Sequence, residues 1–175
     1  MDVNYDIWTG ESIQDLIQII AEFRFQLFAQ NDLLMHSLSE EINFLQHYFD
    51  SDSCIVVAND CGIIVGYMSL VDYSDHHDSL IDYEHYGSDL KISEGPMVHQ
   101  NYRNMGIAKG LIQESINVCE LKDLSLLIID AIKSLETNDT LSARLAHLFN
   151  FESTILSNNQ VYVKNLLNDS VSQAI

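Results

Sequence analysis

The stretch from Ile92 to Cys119, I-S-E-G-P-M-V-H-Q-N-Y-R-N-M-G-I-A-K-G-L-I-Q-E-S-I-N-V-C, restricts what this chain can fold into more than any other segment. It opens as a short strand and meets Pro96, the one proline of the 175 residues, directly after Gly95. Proline brings no amide hydrogen and glycine no Cβ, so the pair predicts a bulge rather than an unbroken ladder. A turn over 99–105 follows, and Gly106 opens an amphipathic helix. Ile107, Leu111 and Ile116 share one face of it at helical spacing, with Ile112 and Val118 adding further apolar side chains. The junction Arg103-Asn104-Met105-Gly106-Ile107-Ala108 has the form R-x-x-G-x-A. Glycine at 106 lets a ligand approach the backbone closely. The first amides of a helix lack intrahelical partners, and the helix dipole favours an anion beside them. Arg103 and Lys109 add positive charge in a chain with only eight Lys and Arg. A pyrophosphate suits such a cradle.

Taken in that order, bulged strand, R-x-x-G-x-A turn and helix, the segment E-G-P-M-V-H-Q-N-Y-R-N-M-G-I-A-K-G-L resembles the GNAT superfamily of N-acetyltransferases nearly position by position. The resemblance implies an α/β (α+β) domain with a mixed, mostly antiparallel sheet of six to seven strands, about four helices and a splayed central strand pair. It implies acetyl-CoA as acyl donor, bound around Met97, Val98, Arg103, Asn104, Met105, Gly106, Ile107, Ala108 and Lys109. Amides from Met105 through Ala108 would hold the pyrophosphate, and that of Met97 or Val98 would polarise the thioester carbonyl. Glu94 stands where many of these enzymes place the general base, acting directly or through water. A carboxylate there could equally be structural, or could bind the charge of the acceptor. The reaction implied is transfer of an acetyl group to a primary amine. The alternatives are a catalytically weak acyl-CoA sensor or interaction module of the same fold, and a cofactor-free acidic protein that binds a basic surface.

The same resemblance leaves one catalytic position open. The family often carries N-x-x-A-x-x-L-Y-x-x-x-G-F in its last helix, and this chain offers Asn138, Leu145 and Phe151. Setting Phe151 on the phenylalanine puts Asn150 at the glycine and Ala146 at the tyrosine that commonly protonates the leaving thiolate. Asn150 is acceptable, because asparagine tolerates a left-handed helix end. The general acid is then unassigned, with Tyr162, Ser142 and His147 as candidates by residue type and Tyr102 as a packing residue.

Charge narrows the partners. The net charge is −18, from 26 acids against eight bases, which argues against nucleic acid. Such a field attracts a cationic acceptor, an amine, polyamine, aminocyclitol or basic peptide, though acidity also serves solubility alone. No apolar run reaches the roughly 18 residues a membrane span needs. The acidic start M-D-V-N-Y-D does not read as a signal peptide. Cys54, Cys61 and Cys119 are too few and too scattered for a disulfide framework or a zinc site, so reduced thiols and a cytoplasmic setting are expected.

In chain order, 3–8 reads as a first strand and Thr9 or Ser12 as a helix cap. From 12 to 30, Ile13, Leu16, Ile17, Ile20, Phe23, Leu27 and Phe28 recur at helical spacing, and Asn31-Asp32 ends the run. A second helix is expected over 39–49 with Ser39 as cap and Ile42, Leu45 and Phe49 buried; Ser39-x-x-Ile42 is not a full capping box. Strands over 54–58 and 63–71 flank the turn residues Asn59-Asp60-Cys61-Gly62, and Gly66 marks a bulge or a close contact. Residues 72–90 hold six acids, three histidines, three tyrosines and no Lys or Arg. They read as an acidic lip for a cationic acceptor, as a metal site on His76, His77 and His85, or as a solvated loop. Leu124 to Ile129 is a nearly continuous apolar run, as in a strand covered on both faces, and in the family it splays from the bulged strand to admit the cofactor. A helix over 138–149 and a strand at Val161-Tyr162-Val163 close a single domain over 1–167, with a frayed tail from Asn168. Apolar edge strands would allow a homodimer.

Overall fold

The protein is described by a computed structural model that covers residues 2–30, 37–72, 90–129, 144, 147–156 and 159–166. Strand β1 (Val3–Thr9) leads through a 3-10 turn (Gly10–Ile13) into helix α1 (Ile17–Gln30). Helix α2 (Leu38–Tyr48) and strands β2 (Cys54–Asp60) and β3 (Ile63–Asp72) follow. Then come β4 (Leu90–Ser93), β5 (Met97–Val98), helix α3 (Ile107–Leu121), β6 (Leu126–Ile129), β7 (Glu152–Leu156) and β8 (Asn159–Asn165).

The strands form one eight-stranded sheet in the order β1-β2-β3-β4-β6-β8-β7, with β5 paired to β3. Every pairing is antiparallel except β4 with β6. The expected mixed, mostly antiparallel fold is therefore present, with one strand more than expected. The addition is β7. It lies outside β8, so Val161–Val163 is an inner strand and not the sheet's closing edge. Its residues E-S-T-I-L carry too little apolar alternation to stand out in sequence.

Strand alternation sends side chains to two cores. Cys54, Val56 and Ala58 of β2 face α3, where they pack with Leu111, Ile112, Ile116 and Cys119. Ile55 and Val57 face the other layer and pack with Ile13, Ile17, Ile20 and Leu45 of the α1–α2 side. Parallel pairing has helices on both faces of the sheet centre, and β6 accordingly reads as an apolar run, while β4 is buried throughout although Lys91 and Ser93 alternate with Leu90 and Ile92.

Local chemistry accounts for most boundaries. Cys61 and Gly62 have φ of 53° and 87°, so they form the two-residue hairpin between Asp60 and Ile63, and Asn59 Oδ1 accepts from the Gly62 amide at 2.7 Å. Gly66 serves both expected purposes. The β2–β3 register slips beside it, and a Cβ there would lie 2.9 Å from the Met97 carbonyl oxygen. Helix α2 corrects the cap: Ser37 caps it, and Ser37 and Glu40 form a full capping box. Two serines two apart compete for that position, and only Ser37 has a glutamate three residues on. Helix α1 starts later than expected, because Thr9 caps the intervening 3-10 turn, its amide donating to Ser12 Oγ at 3.1 Å. The helix break at Asn31-Asp32, the acidic segment over 73–89 with His76, His77 and His85, most of the helix over 138–149 and the tail lie outside the described residues.

Candidate active site

The bulge is visible in the register. On β3, Val71 pairs with Ile92 and Tyr67 with Met97, so four steps on β3 face five on the opposing strand. The extra residue falls within Glu94-Gly95-Pro96, where Gly95 takes φ +88° and donates its amide to Ser93 Oγ at 3.0 Å. Beyond the bulge, the His99 amide donates to the Val65 carbonyl at 2.9 Å. Antiparallel alternation then turns the Met97 amide towards β3 and the Val98 amide away from it. The Val98 carbonyl also points away, since it accepts from Arg103 Nε at 3.4 Å. Of the two amides considered for the thioester carbonyl, Val98 alone is directed off the sheet pairing.

On that outer side the sheet opens. Strand β6 runs parallel to β4 from the pair Leu90–Leu126 to the pair Ser93–Ile129, and among the described residues β5 pairs only with β3. Glu94 follows the last of these pairs directly.

The turn after β5 is built from backbone. Asn104 and Gly106 take φ of 63° and 83°, and Gly106 caps α3 with no side-chain hydrogen bond. The Gly110 amide is the first to bond within the helix, to the Gly106 carbonyl at 3.0 Å. The amides of Ile107, Ala108 and Lys109 are thus the orphan donors of the helix start. A Cβ at Gly106 would meet nothing within 4 Å, so the approach to these amides is open. Arg103, Asn104, Met105 and Lys109 are exposed around it, whereas Ile107 is buried under the turn. Orphan amides, open space and two flanking cations fit a pyrophosphate.

A second constellation joins residues that no motif marks. Arg24 of α1 is buried at 4% exposure, and Glu41 of α2 at 1%. Arg24 Nε donates to Glu41 and Arg24 Nη1 to Glu94 Oε2. The same Nη1 reaches the Tyr67 hydroxyl at 2.9 Å, and Tyr67 lies 3.2 Å from Met97 Sδ. The guanidinium sits 4.9 Å from the Phe28 ring centroid and 5.8 Å from that of Phe44. Burial works against its charge, but Tyr67, Glu94 and Glu41 outweigh that cost and hold Arg24 protonated more firmly than an ordinary arginine. Burial pushes the Tyr67 phenol up against the opposing pull of Arg24, with Glu94 and Glu41 adding to the rise, so Tyr67 stays a neutral donor. A signal for this cluster did exist. Arg24 falls on the face of Ile13, Ile17 and Ile20, and Glu41 on that of Leu45 and Tyr48, at helical spacing. A charge on a buried stripe calls for a partner on another element.

The remaining candidates separate clearly. Tyr102 is half-buried, with its ring centroid 5.9 Å from that of His99, and packs against the α3-side core. Tyr162 is 6% exposed within that same core. His147 is exposed. Ser142 and Ala146 lie outside the described residues. Asn150 takes φ +57°, the left-handed conformation expected where the family has glycine.

The model of the Acetyltransferase (GNAT) family matches residues 16–139 of the chain. Among solved structures, an N-acetyltransferase from Staphylococcus aureus Mu50 superimposes with a TM-score of 0.65 at 16% identity, covering 93% of this chain and 99% of its own. An acetyltransferase-fold protein from Salmonella typhimurium, solved with its cofactor acetyl-CoA, gives 0.62 at 12% identity over 93% and 94%. A ribosomal-protein-alanine N-acetyltransferase from Brucella melitensis gives 0.62 at 16% over 90% and 96%. No functionally curated protein matches. A family model that spans the α1–α2 layer, the bulged strand and the phosphate-type turn, joined to this shared fold, establishes that the chain belongs to the GNAT acetyltransferase family, whose members take acetyl-CoA as acyl donor.

Proposed function

We propose that the chain transfers the acetyl group of acetyl-CoA to a primary amine, carried by a cationic small molecule or a basic peptide, with Glu94 as general base. The observation that carries this reading is the bulge. Glu94 lies at its start with Oε1 free of any partner among the described residues, and the outward Val98 amide lies at its end.

Acetyl-CoA supplies an activated thioester carbonyl. The orphan amides of Ile107, Ala108 and Lys109 hold the pyrophosphate, with those of Met105 and Gly106 and the side chains of Arg103 and Asn104 beside it. Glu94 Oε1 accepts the proton of the acceptor ammonium, directly or through one water, and so frees the lone pair that attacks. The Val98 amide donates to the oxygen that becomes negative as the C–N bond forms, and Met97 supports that strand from behind. The C–S bond then breaks, and the thiolate takes a proton from water or from the ammonium formed in the attack. This route needs no dedicated acid, consistent with a core position for Tyr162 and an exposed one for His147.

Glu94 stands at the bulge with Oε1 free of any partner among the described residues, and the net charge of the whole chain is −18. Both favour a cation as acceptor. Incubation of the protein with acetyl-CoA and spermidine, kanamycin or a lysine-rich peptide tests the reading by mass spectrometry. An acceptor heavier by one acetyl group, with free CoA released, is the expected result. Stabilisation by acetyl-CoA without any acetylated product would point instead to an acyl-CoA-binding module.

A further inference from the structure

Arg24 is paired with Glu41 through Nε and makes a second ion pair to Glu94 through Nη1. The second pair spans 70 residues of sequence and joins α1 to the bulge. Glu94 has most need of such a bond. It stands after β4 has ended and before Gly95 at φ +88°, outside the strand pairings on either side. A glutamate on that backbone has three rotatable bonds and no neighbour on its own segment to select a rotamer.

The other contacts of Arg24 extend the hold across the bulge. Its Nη1 reaches the Tyr67 hydroxyl at 2.9 Å and Met97 Sδ at 3.9 Å, and Tyr67 itself touches Met97 Sδ. Met97 adjoins Val98, whose amide faces outward. One guanidinium therefore contacts the residue that opens the bulge and the residue that closes it, while Glu41 fixes it from α2 and Phe28 and Phe44 pack over its face. The planar fork lets Nε hold Glu41 while Nη1 reaches the bulge, two positions that a single ammonium does not span in fixed geometry.

Building on the reading of Glu94 as base, we propose that Arg24 is a positioning residue of the acetyl transfer. It clamps the two ends of the bulge, occupies Glu94 Oε2 and leaves only Oε1 directed to the acceptor. Arg24 touches neither substrate in this account; it acts through Glu94 and Met97.

The test is a double-mutant cycle in turnover, with Arg24→Met, Glu94→Gln and both together, assayed by CoA release with spermidine, kanamycin and a lysine-rich peptide. Arg24→Met is expected to lower kcat about ten- to hundred-fold through misplacement of the base, with little change in the KM for acetyl-CoA. In the Glu94→Gln background the same substitution is expected to change kcat by less than about five-fold, because its route through Glu94 is already gone and only the contact with Met97 remains. Arg24→Lys should recover only part of the loss, and it carries the same cycle if the methionine variant does not fold. Arg24 substitutions whose effects multiply with Glu94→Gln would overturn the positioning role and leave the base reading intact. Wild-type turnover insensitive to Glu94→Gln, or no wild-type turnover with any of the three acceptors, would overturn the base reading and this proposal with it. Thermal unfolding of each variant separates lost stability from lost rate, since a purely structural arginine would move the unfolding temperature without the dependence on Glu94.

Discussion

The turn at 103–109 and the cluster around Arg24 are built from opposite materials. The turn is exposed, continuous in sequence and made of backbone: positive φ at Asn104 and Gly106 and three unpaired amides at the start of α3. The cluster is buried, made of side chains and drawn from α1, α2, β3 and the bulge, with partners 17, 43 and 70 residues apart. A backbone site of the first kind stores little stability and is ready for a ligand. A charge cluster of the second kind depends on every member, because each charge is costly once its partner is gone. Substitutions in the turn should therefore be felt in cofactor binding, and those in the cluster in folding and rate.

The largest contrast is expected from Glu41→Ala. It removes a fully buried carboxylate from a buried guanidinium, and a loss of about 3–5 kcal/mol in unfolding free energy is expected from urea denaturation. Acetyl-CoA affinity of the folded fraction should stay near wild type. A variant of normal stability would mean the cluster does not support the fold.

Alkali should act on the buried interior and not on the exposed turn. Burial pushes the phenols of Tyr48 and Tyr67 up, and burial pushes the Cys119 thiol from 9.0 up to about 12. The unfolded chain loses these protons first, so between about pH 9 and 12 the native state binds more of them and stability falls as pH rises. Denaturation midpoints at pH 8 and pH 10.5 should show this decline. A flat profile would show that these groups ionise as readily in the folded protein.

Gly106→Ala tests the turn in isolation. The new Cβ meets no atom, so the cost is that of a positive φ, roughly 1–2 kcal/mol. Part of that cost falls on the binding conformation, so acetyl-CoA affinity measured by calorimetry should drop about ten-fold. Unchanged affinity would separate the turn from the cofactor. The smallest effect is expected from Ser37→Ala, which removes the cap of the helix carrying Glu41, at about 1 kcal/mol. It should lower thermal stability and leave the cofactor affinity as it was.

The same division of materials decided what could be read from sequence. Gly95-Pro96 and R-x-x-G-x-A state local backbone geometry, and the bulge, the left-handed Gly106 and the start of α3 at Ile107 all appear where those residues put them. The apolar rhythm of α3 likewise marks its buried face. Arg24, Glu41 and Tyr67 are separated by tens of residues, and their meeting is a property of the tertiary fold. A hydrophobicity pattern registers Arg24 only as a gap in a stripe. Strand β7 escaped for a different reason, since an edge strand exposes one side and needs few apolar residues. The cap of α2 was misplaced by two residues because Ser37 and Ser39 are alike until the position of Glu40 is weighed.

The central claim is that cofactor binding belongs to the turn and chemistry to the carboxylate at the bulge. Glu94→Gln tests it most directly, with acetyl-CoA affinity and CoA release measured on the same preparation. The account predicts affinity within about two-fold of wild type and a fall in CoA release of about a hundred-fold or more, the range of a lost general base. Equal release by the two proteins, or loss of acetyl-CoA binding in the variant, would contradict it.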